Sequence, residues 1–190
     1  MKKSIVAGLA LLALLAATDA TAGGGRFGTL YGGGQLALLF VSEDGAERDI
    51  EAPALTYRMG AYVSSNVAIE GRFGVSLAGA GLTGNRTEDS AEEDVELDRL
   101  FGLYLTAHFP VPLPRRDVVT VFGTVGYTDI RMDASLQAGL PPERRSGVSF
   151  GIGAELASYD GFLLNVEYMR YIDSDGLKVS GIAVGGVYAF

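Results

Sequence analysis

Between Leu30 and Phe190 one pattern recurs: large apolar residues at every second position, with small or polar residues between them. Leu36, Leu38 and Phe40 share a face with Gly32 and Gly34, against Gln35 and Ala37. Leu55, Tyr57, Met59, Ala61 and Val63 oppose Thr56, Arg58 and Gly60. Val67, Ile69, Phe73, Val75 and Leu77 oppose Glu70, Arg72 and Ser76. The pattern continues with Phe101 to Phe109 against Gly102, Tyr104, Thr106 and His108, and with Val119 to Tyr127 against Thr120, Thr124 and Thr128. It returns with Val148 to Leu156 against Ser149, Gly151, Gly153 and Glu155, and with Leu164 to Tyr168 against Asn165 and Glu167. A last such run spans Leu177 to Phe190. A period of two is the signature of a strand with two unlike faces.

The second face is what narrows the fold. A water-soluble barrel or sandwich buries its apolar face and shows water a charged one. Here the non-apolar face is mostly Gly, Ser and Thr, and its few charges sit in mid-strand: Arg58, Glu70, Arg72, Glu155 and Glu167. That composition suits the inside of a narrow barrel whose apolar face meets lipid. In hydrocarbon every backbone N–H and C=O needs an internal partner, so strands cross only as a closed barrel. A tilted strand needs about 9–11 residues to cross, close to the run lengths above. The expected fold is therefore all-β, an antiparallel up-and-down transmembrane barrel of about eight strands. At that size side chains fill the interior, so a continuous pore is not expected.

Short and long connections alternate. Ser64 to Asn66, Pro110 to Asp117 and Ser158 to Gly161 read as turns, and Ser42 to Ala52, Ala78 to Asp98 and the segment around Pro141-Pro142 as loops. Asp173 to Gly176 reads as a further hairpin turn. Outer-membrane barrels place short turns in the periplasm and long loops outside. Tyr57, Phe109, Tyr127, Tyr168, Tyr188 and Phe190 are candidates for aromatic girdles near the strand ends.

The N-terminus carries an export signal. Met1-Lys2-Lys3 is followed by the apolar stretch Ile5 to Ala17 and by Ala20-Thr21-Ala22, a small-x-small cleavage pattern. Residues 1–22 read as a signal peptide and 23–190 as the barrel domain. With no cysteine, disulfides and thiolate metal sites are excluded. A net charge of −8 argues against nucleic-acid binding.

The last strand ends Ile182-Ala183-Val184-Gly185-Gly186-Val187-Tyr188-Ala189-Phe190, with Phe190 and Tyr188 on the apolar face. This resembles the C-terminal signature read by the barrel-assembly machinery of the outer membrane. Tyr57 to Gly74 and Ser149 to Tyr171 each pair a glycine-rich strand, a tight turn and a returning strand with an inward glutamate. In this they resemble the small OmpA/OmpX-like outer-membrane β-barrel family. The resemblance covers essentially the whole chain after the signal. It implies a monomer in the outer membrane of a Gram-negative cell, surrounded by outer-membrane lipid and lipopolysaccharide. It also implies a structural or surface-interaction role, with a narrow porin-like channel or a lipid A-modifying enzyme as alternatives. The peptidoglycan-binding domain that OmpA carries is not expected.

Candidate chemistry is sparse. Arg58, Glu70, Arg72, Glu155 and Glu167 all point inward by parity and read as a structural network of lumen charges, since buried charges must pair. His108, the one histidine, falls on the inward face near the Pro110 turn with no serine following it, whereas lipid A deacylases and palmitoyltransferases of similar size place a histidine with a serine or acidic residue at the membrane-facing rim. Gly23 to Gly25, Gly32 to Gly34, Gly151 and Gly153 precede no helix and so are not phosphate loops; they relieve crowding. Glu43, Asp44, Glu47, Asp49 and Glu51 crowd one loop, and Glu88, Asp89, Glu92, Glu93, Asp94, Glu96 and Asp98 another. These carboxylates could bridge to lipopolysaccharide phosphates through divalent cations, but no defined metal-site spacing is present. No catalytic residue, metal site or cofactor is expected.

Overall fold

In the computed structural model eight strands follow one another: β1 (Leu30–Glu43), β2 (Ile50–Tyr62), β3 (Val67–Ser76), β4 (Glu96–Pro112), β5 (Val118–Asp133), β6 (Glu143–Ala157), β7 (Phe162–Ser174) and β8 (Leu177–Ala189). Each pairs antiparallel with its neighbours in sequence, and β8 closes on β1 to complete the barrel. The structure describes residues 26–43, 50–77, 96–112, 118–133, 143–157, 161–174 and 177–190. The expected signal peptide, Gly23 to Gly25 and the acidic residues Asp44, Glu47, Asp49, Glu88, Asp89, Glu92, Glu93 and Asp94 lie outside these. Among the described residues no helix is long and apolar enough to cross a membrane.

Closure puts the apolar face outside. Leu36, Met59, Phe101, Leu103, Ile152 and Val184 are all more than half exposed, while Arg58, Glu70 and Arg72 are buried within. The β2–β3 turn is held by the Ser64 hydroxyl, which accepts from Val67 N–H at 3.0 Å, and by Val63 N–H donating to Val67 O at 2.8 Å. β1, β3, β5 and β7 begin, and β2, β4, β6 and β8 end, at the same end of the barrel as this turn, the turn end; the opposite strand ends make up the loop end.

The strands are longer than the alternation indicates. β3 spans 10 residues, but β4 spans 17, β5 16 and β6 15. Alternation marks only the stretch whose two faces differ; beyond it, as at Leu38-Leu39-Phe40-Val41, the two faces are alike while the backbone ladder runs on. The expected loop Ala78 to Asp98 thus ends before β4 starts at Glu96, and Glu51 lies in β2. The expected Asp173 to Gly176 turn shortens, because β7 stays paired through Ser174↔Leu177.

Pro110 does not end its strand either. Pro110, Val111 and Pro112 pair with Thr120, Val119 and Val118 of β5. His108 N–H donates to Asn66 O on the β3 side. Two residues on, position 110 faces the same side, past the start of β3 at Val67. The missing proline N–H therefore removes no ladder bond, which is where a strand tolerates proline.

Glycines at the β1–β8 seam have a steric reason. A Cβ on Gly33 would fall on the backbone of Gly186, and one on Gly185 on the backbone of Gly34. The terminal residue completes this seam, for Phe190 N–H donates to Leu30 O at 2.9 Å and Leu30 N–H returns to Phe190 O at 3.2 Å.

The aromatic residues are distributed more widely than expected. Phe109, Phe162, Tyr188 and Phe190 lie outward at the turn end, and the Tyr188 and Phe190 rings stack at 6.4 Å. Tyr57 instead sits in mid-strand, in register with Phe73 and through it with Phe101, as one outward row across β2, β3 and β4. Tyr168 is also mid-strand.

Candidate functional site

The interior is the only place where the strands bring ionisable groups together in bulk among the described residues, and it is built in layers. Period two aims Arg58 (β2), Glu70 and Arg72 (β3), Glu155 (β6) and Glu167 (β7) inward, as their burial shows. Register does the rest. Arg58 lies directly opposite Arg72, a repulsive arrangement unless an anion intervenes. Glu70, two residues before Arg72, supplies it.

One Glu70 oxygen accepts from Arg58 Nε at 2.9 Å, from Arg58 Nη2 at 2.6 Å and from the Tyr31 hydroxyl at 2.7 Å. The other accepts from Arg72 Nε at 2.5 Å. Arg72 then reaches β7 on the far wall, where its two terminal nitrogens each donate to an oxygen of Glu167 at 2.8 Å. This bidentate pair is the geometry in which a guanidinium binds carboxylate best. Gln35 Nε2 adds a bond to Asn165 Oδ1 at 2.7 Å and a longer one to Glu167 at 3.4 Å. The guanidinium carbon of Arg58 lies 5.2 Å from the Phe122 ring centre, and that of Arg72 4.8 Å from Tyr104.

Glu155 joins more loosely. It stands 3.6 Å from Arg58 Nη2 and 3.8 Å from His108 Nε2, and its Oε2 has no hydrogen-bond partner. The structure thus gathers all five charged residues singled out by sequence, four in close contact and one at the margin. It adds Tyr31, Gln35 and Asn165. The alternation aimed Gln35 and Asn165 inward, but Tyr31 lies at the start of its strand, before the pattern is established.

Toward the turn end the lumen is closed by rings. His108, 1% exposed, lies among Tyr62 (centroids 5.1 Å apart), Phe122 (5.8 Å) and Tyr31 (6.4 Å). Arg26 caps this layer, donating to the Tyr62 hydroxyl at 2.8 Å. Neighbouring glycines make room: a Cβ on Gly60 would strike the Tyr31 ring, and one on Gly153 the Phe122 ring.

Toward the loop end the interior changes character. A relay of hydroxyls links Tyr104 and Thr128 at 2.5 Å, Thr128 and Ser149 at 2.5 Å, and Ser149 to the Tyr171 carbonyl at 2.7 Å. Beside it Leu39, Leu100, Ile130, Ile172 and Val179 form an apolar plug. The expectation of a small, neutral and charged interior is therefore corrected for this half. Strand ends such as Leu38-Leu39-Phe40-Val41 are apolar on both faces, which hides the period. A register shift between Arg170 and Ile172 also turns Ile172 inward beside Tyr171.

Among the described residues no group of three or more His, Asp or Glu side chains is arranged to hold a metal ion. Glu70 and Glu167 are consumed by arginines and are buried.

The architecture has known counterparts. Ail, the attachment invasion locus protein of Yersinia pestis, solved in complex with the heparin analogue sucrose octasulfate, superposes with a TM-score of 0.59 at 17% identity, covering 86% of this chain and 99% of Ail. Neisserial surface protein A gives 0.57 at 10% identity over 86% of this chain and 99% of its own. The N-terminal β-barrel domain of Pseudomonas aeruginosa OprF gives 0.55 at 11%, covering 86% and 98%. At such identities the likeness is one of fold. No curated protein matches the sequence. The family model of the outer membrane protein beta-barrel domain matches residues 7–190. With that match over nearly the whole chain, the protein belongs to the outer membrane β-barrel domain family and resides in the outer membrane.

Proposed function

We propose that this protein is a non-catalytic outer-membrane barrel with a structural or surface-interaction role, and that its lumen is a strut and not a path. The observation that carries this reading is the stacking of three filled layers along one axis: the ring cluster around His108, the Glu70–Arg72–Glu167 strut, and the Leu39–Leu100–Ile130 plug. Arg58, Glu70, His108, Phe122, Leu39 and Leu100 are each 1% exposed or less. A solute would have to displace Arg72, which spans the lumen from Glu70 on β3 to Glu167 on β7. The sealed interior also argues against acid–base work by the glutamates or His108, because a substrate has no way in.

In this reading the protein is a monomer, and its loop end faces outward. Recognition falls to that end, since loops on a rigid scaffold are where binding residues concentrate. The barrel-assembly machinery would read the terminal strand through Tyr188 and Phe190, both outward-facing.

Planar-bilayer recording tests the reading directly. The wild type should be electrically silent, whereas Arg72→Ala combined with Phe122→Ala, which empties two layers, should raise the frequency of small openings. Stable ohmic steps in the wild type would establish the channel alternative. Lipid A from cells with and without the protein should have the same mass; a lost or added acyl chain would establish the enzyme.

A further inference from the structure

Three arginines stand in one line across the loop end. Arg99 of β4 is the register partner of Arg131 of β5, and Arg131 is the partner of Arg144 of β6. A bulge at Asp98 puts Arg99 in that position, because the register shifts between Leu97 and Arg99. All three lie on the outward face: Arg99 shares it with Phe101 and Leu103, Arg131 with Tyr127, and Arg144 with Val148 and Phe150.

Cross-strand partners lie about 4.5–5.5 Å apart at Cα, and like charges directly opposite one another are destabilising. The barrel does little to relieve this. Asp129 accepts from Arg144 through Nε alone, at 2.8 Å, and the Arg144 side chain stays 68% exposed. Among the described residues no hydrogen bond or ion pair engages the side chain of Arg99 or Arg131, and Arg131 Nε is buried without a partner. Asp98, in the bulge, is exposed to solvent.

The height of the line identifies what would meet it. Arg99 lies two residues beyond Phe101, and Arg131 and Arg144 four beyond Tyr127 and Val148. At about 3.3 Å per residue that is roughly 7–13 Å along the strands, or about 5–10 Å along the membrane normal at the usual tilt. The headgroup layer on each side of the hydrocarbon is roughly 5–8 Å deep. We infer that Arg99, Arg131 and Arg144 form a binding site for the phosphate groups of lipopolysaccharide, on the lipid-facing wall of β4, β5 and β6. A phosphate placed between guanidiniums accepts bidentate, charge-assisted hydrogen bonds and cancels the repulsion along the line. Direct contact with phosphate at this site needs no bridging cation.

This inference rests on the reading that the loop end meets the outer leaflet, and the test separates the two. The full barrel is folded into phosphatidylcholine vesicles, alone or with bisphosphorylated lipid A, dephosphorylated lipid A, or inorganic phosphate in the buffer. The temperature at which the heat-modifiable folded form is lost is then read. Bisphosphorylated lipid A should raise the wild-type midpoint by about 5 °C, as ligand binding to the folded state does. The other additions should leave it unmoved. Arg99→Gln with Arg131→Gln should abolish the rise without lowering the midpoint in phosphatidylcholine, and Arg170→Gln, a nearby arginine paired with Asp173, should retain it. An equal rise in the double variant, or with dephosphorylated lipid A, would overturn the site. A rise with inorganic phosphate alone would reassign it to a free anion. Vesicles carry lipid A in both leaflets, so a barrel of opposite orientation would still pass this test and fail only on protease cleavage in intact cells.

Discussion

Replacing Glu70 with alanine should be the most damaging single change in the lumen. Glu70 is the one carboxylate that contacts both guanidiniums, taking two bonds from Arg58, one from Arg72 and one from Tyr31. Without it Arg72 keeps its bidentate pair with Glu167, but Arg58 is left facing Arg72 with only Glu155, at 3.6 Å. The variant therefore strands one buried cation and opposes two like charges. Breaking a buried pair in this way costs about 3–5 kcal/mol. With a urea slope near 2 kcal/mol per M, the midpoint of unfolding should fall by roughly 2 M. Glu155→Gln is the internal comparison. Its Oε2 has no hydrogen-bond partner and its nearest cation lies beyond bonding distance, and Arg58 keeps its bonds to Glu70, so the change strands no buried cation and should cost clearly less than Glu70→Ala. Urea titration followed by gel mobility of the unheated barrel gives both midpoints. Equal losses for the two variants, or a Glu70 loss within about 1 kcal/mol, would refute the assignment of Glu70 as the centre of the network.

Three other outcomes follow from the same geometry. Deleting Phe190 removes both backbone bonds to Leu30 at the seam and should reduce the folded barrel in the outer-membrane fraction while export continues; unchanged heat-modifiable protein would contradict this. Gly153→Ala forces a Cβ against Phe122 and should cost about 1–3 kcal/mol by overpacking, whereas Gly123→Ala, with nothing within 4 Å of its Cβ, should stay within about 0.5 kcal/mol. Protease added to intact cells should cut within residues 78–95 and spare residues 113–117; the reverse pattern would invert the orientation.

Much of this protein is legible in its sequence because lipid is an unforgiving solvent. An apolar residue at every second position, small residues between, and Arg58, Glu70, Arg72, Glu155 and Glu167 in mid-strand admit one arrangement, a closed barrel with those charges inside. Parity alone fixes the direction of each side chain, so the composition of the middle layer could be read residue by residue. Tertiary structure decided what parity cannot express. Which arginine meets which glutamate depends on closure, which brings Arg72 of β3 to Glu167 of β7, 95 residues apart in sequence. The apolar plug at Leu39, Leu100 and Ile130 was hidden because strand ends apolar on both faces have no period. The line of Arg99, Arg131 and Arg144 was hidden for a different reason: these residues are scattered among charged segments and are aligned only by a bulge at Asp98 and the register of three strands. Sequence periodicity records the solvent on each side of a strand, whereas register, bulges and closure record which neighbours the strand has, and both the lumen strut and the arginine line are properties of neighbours.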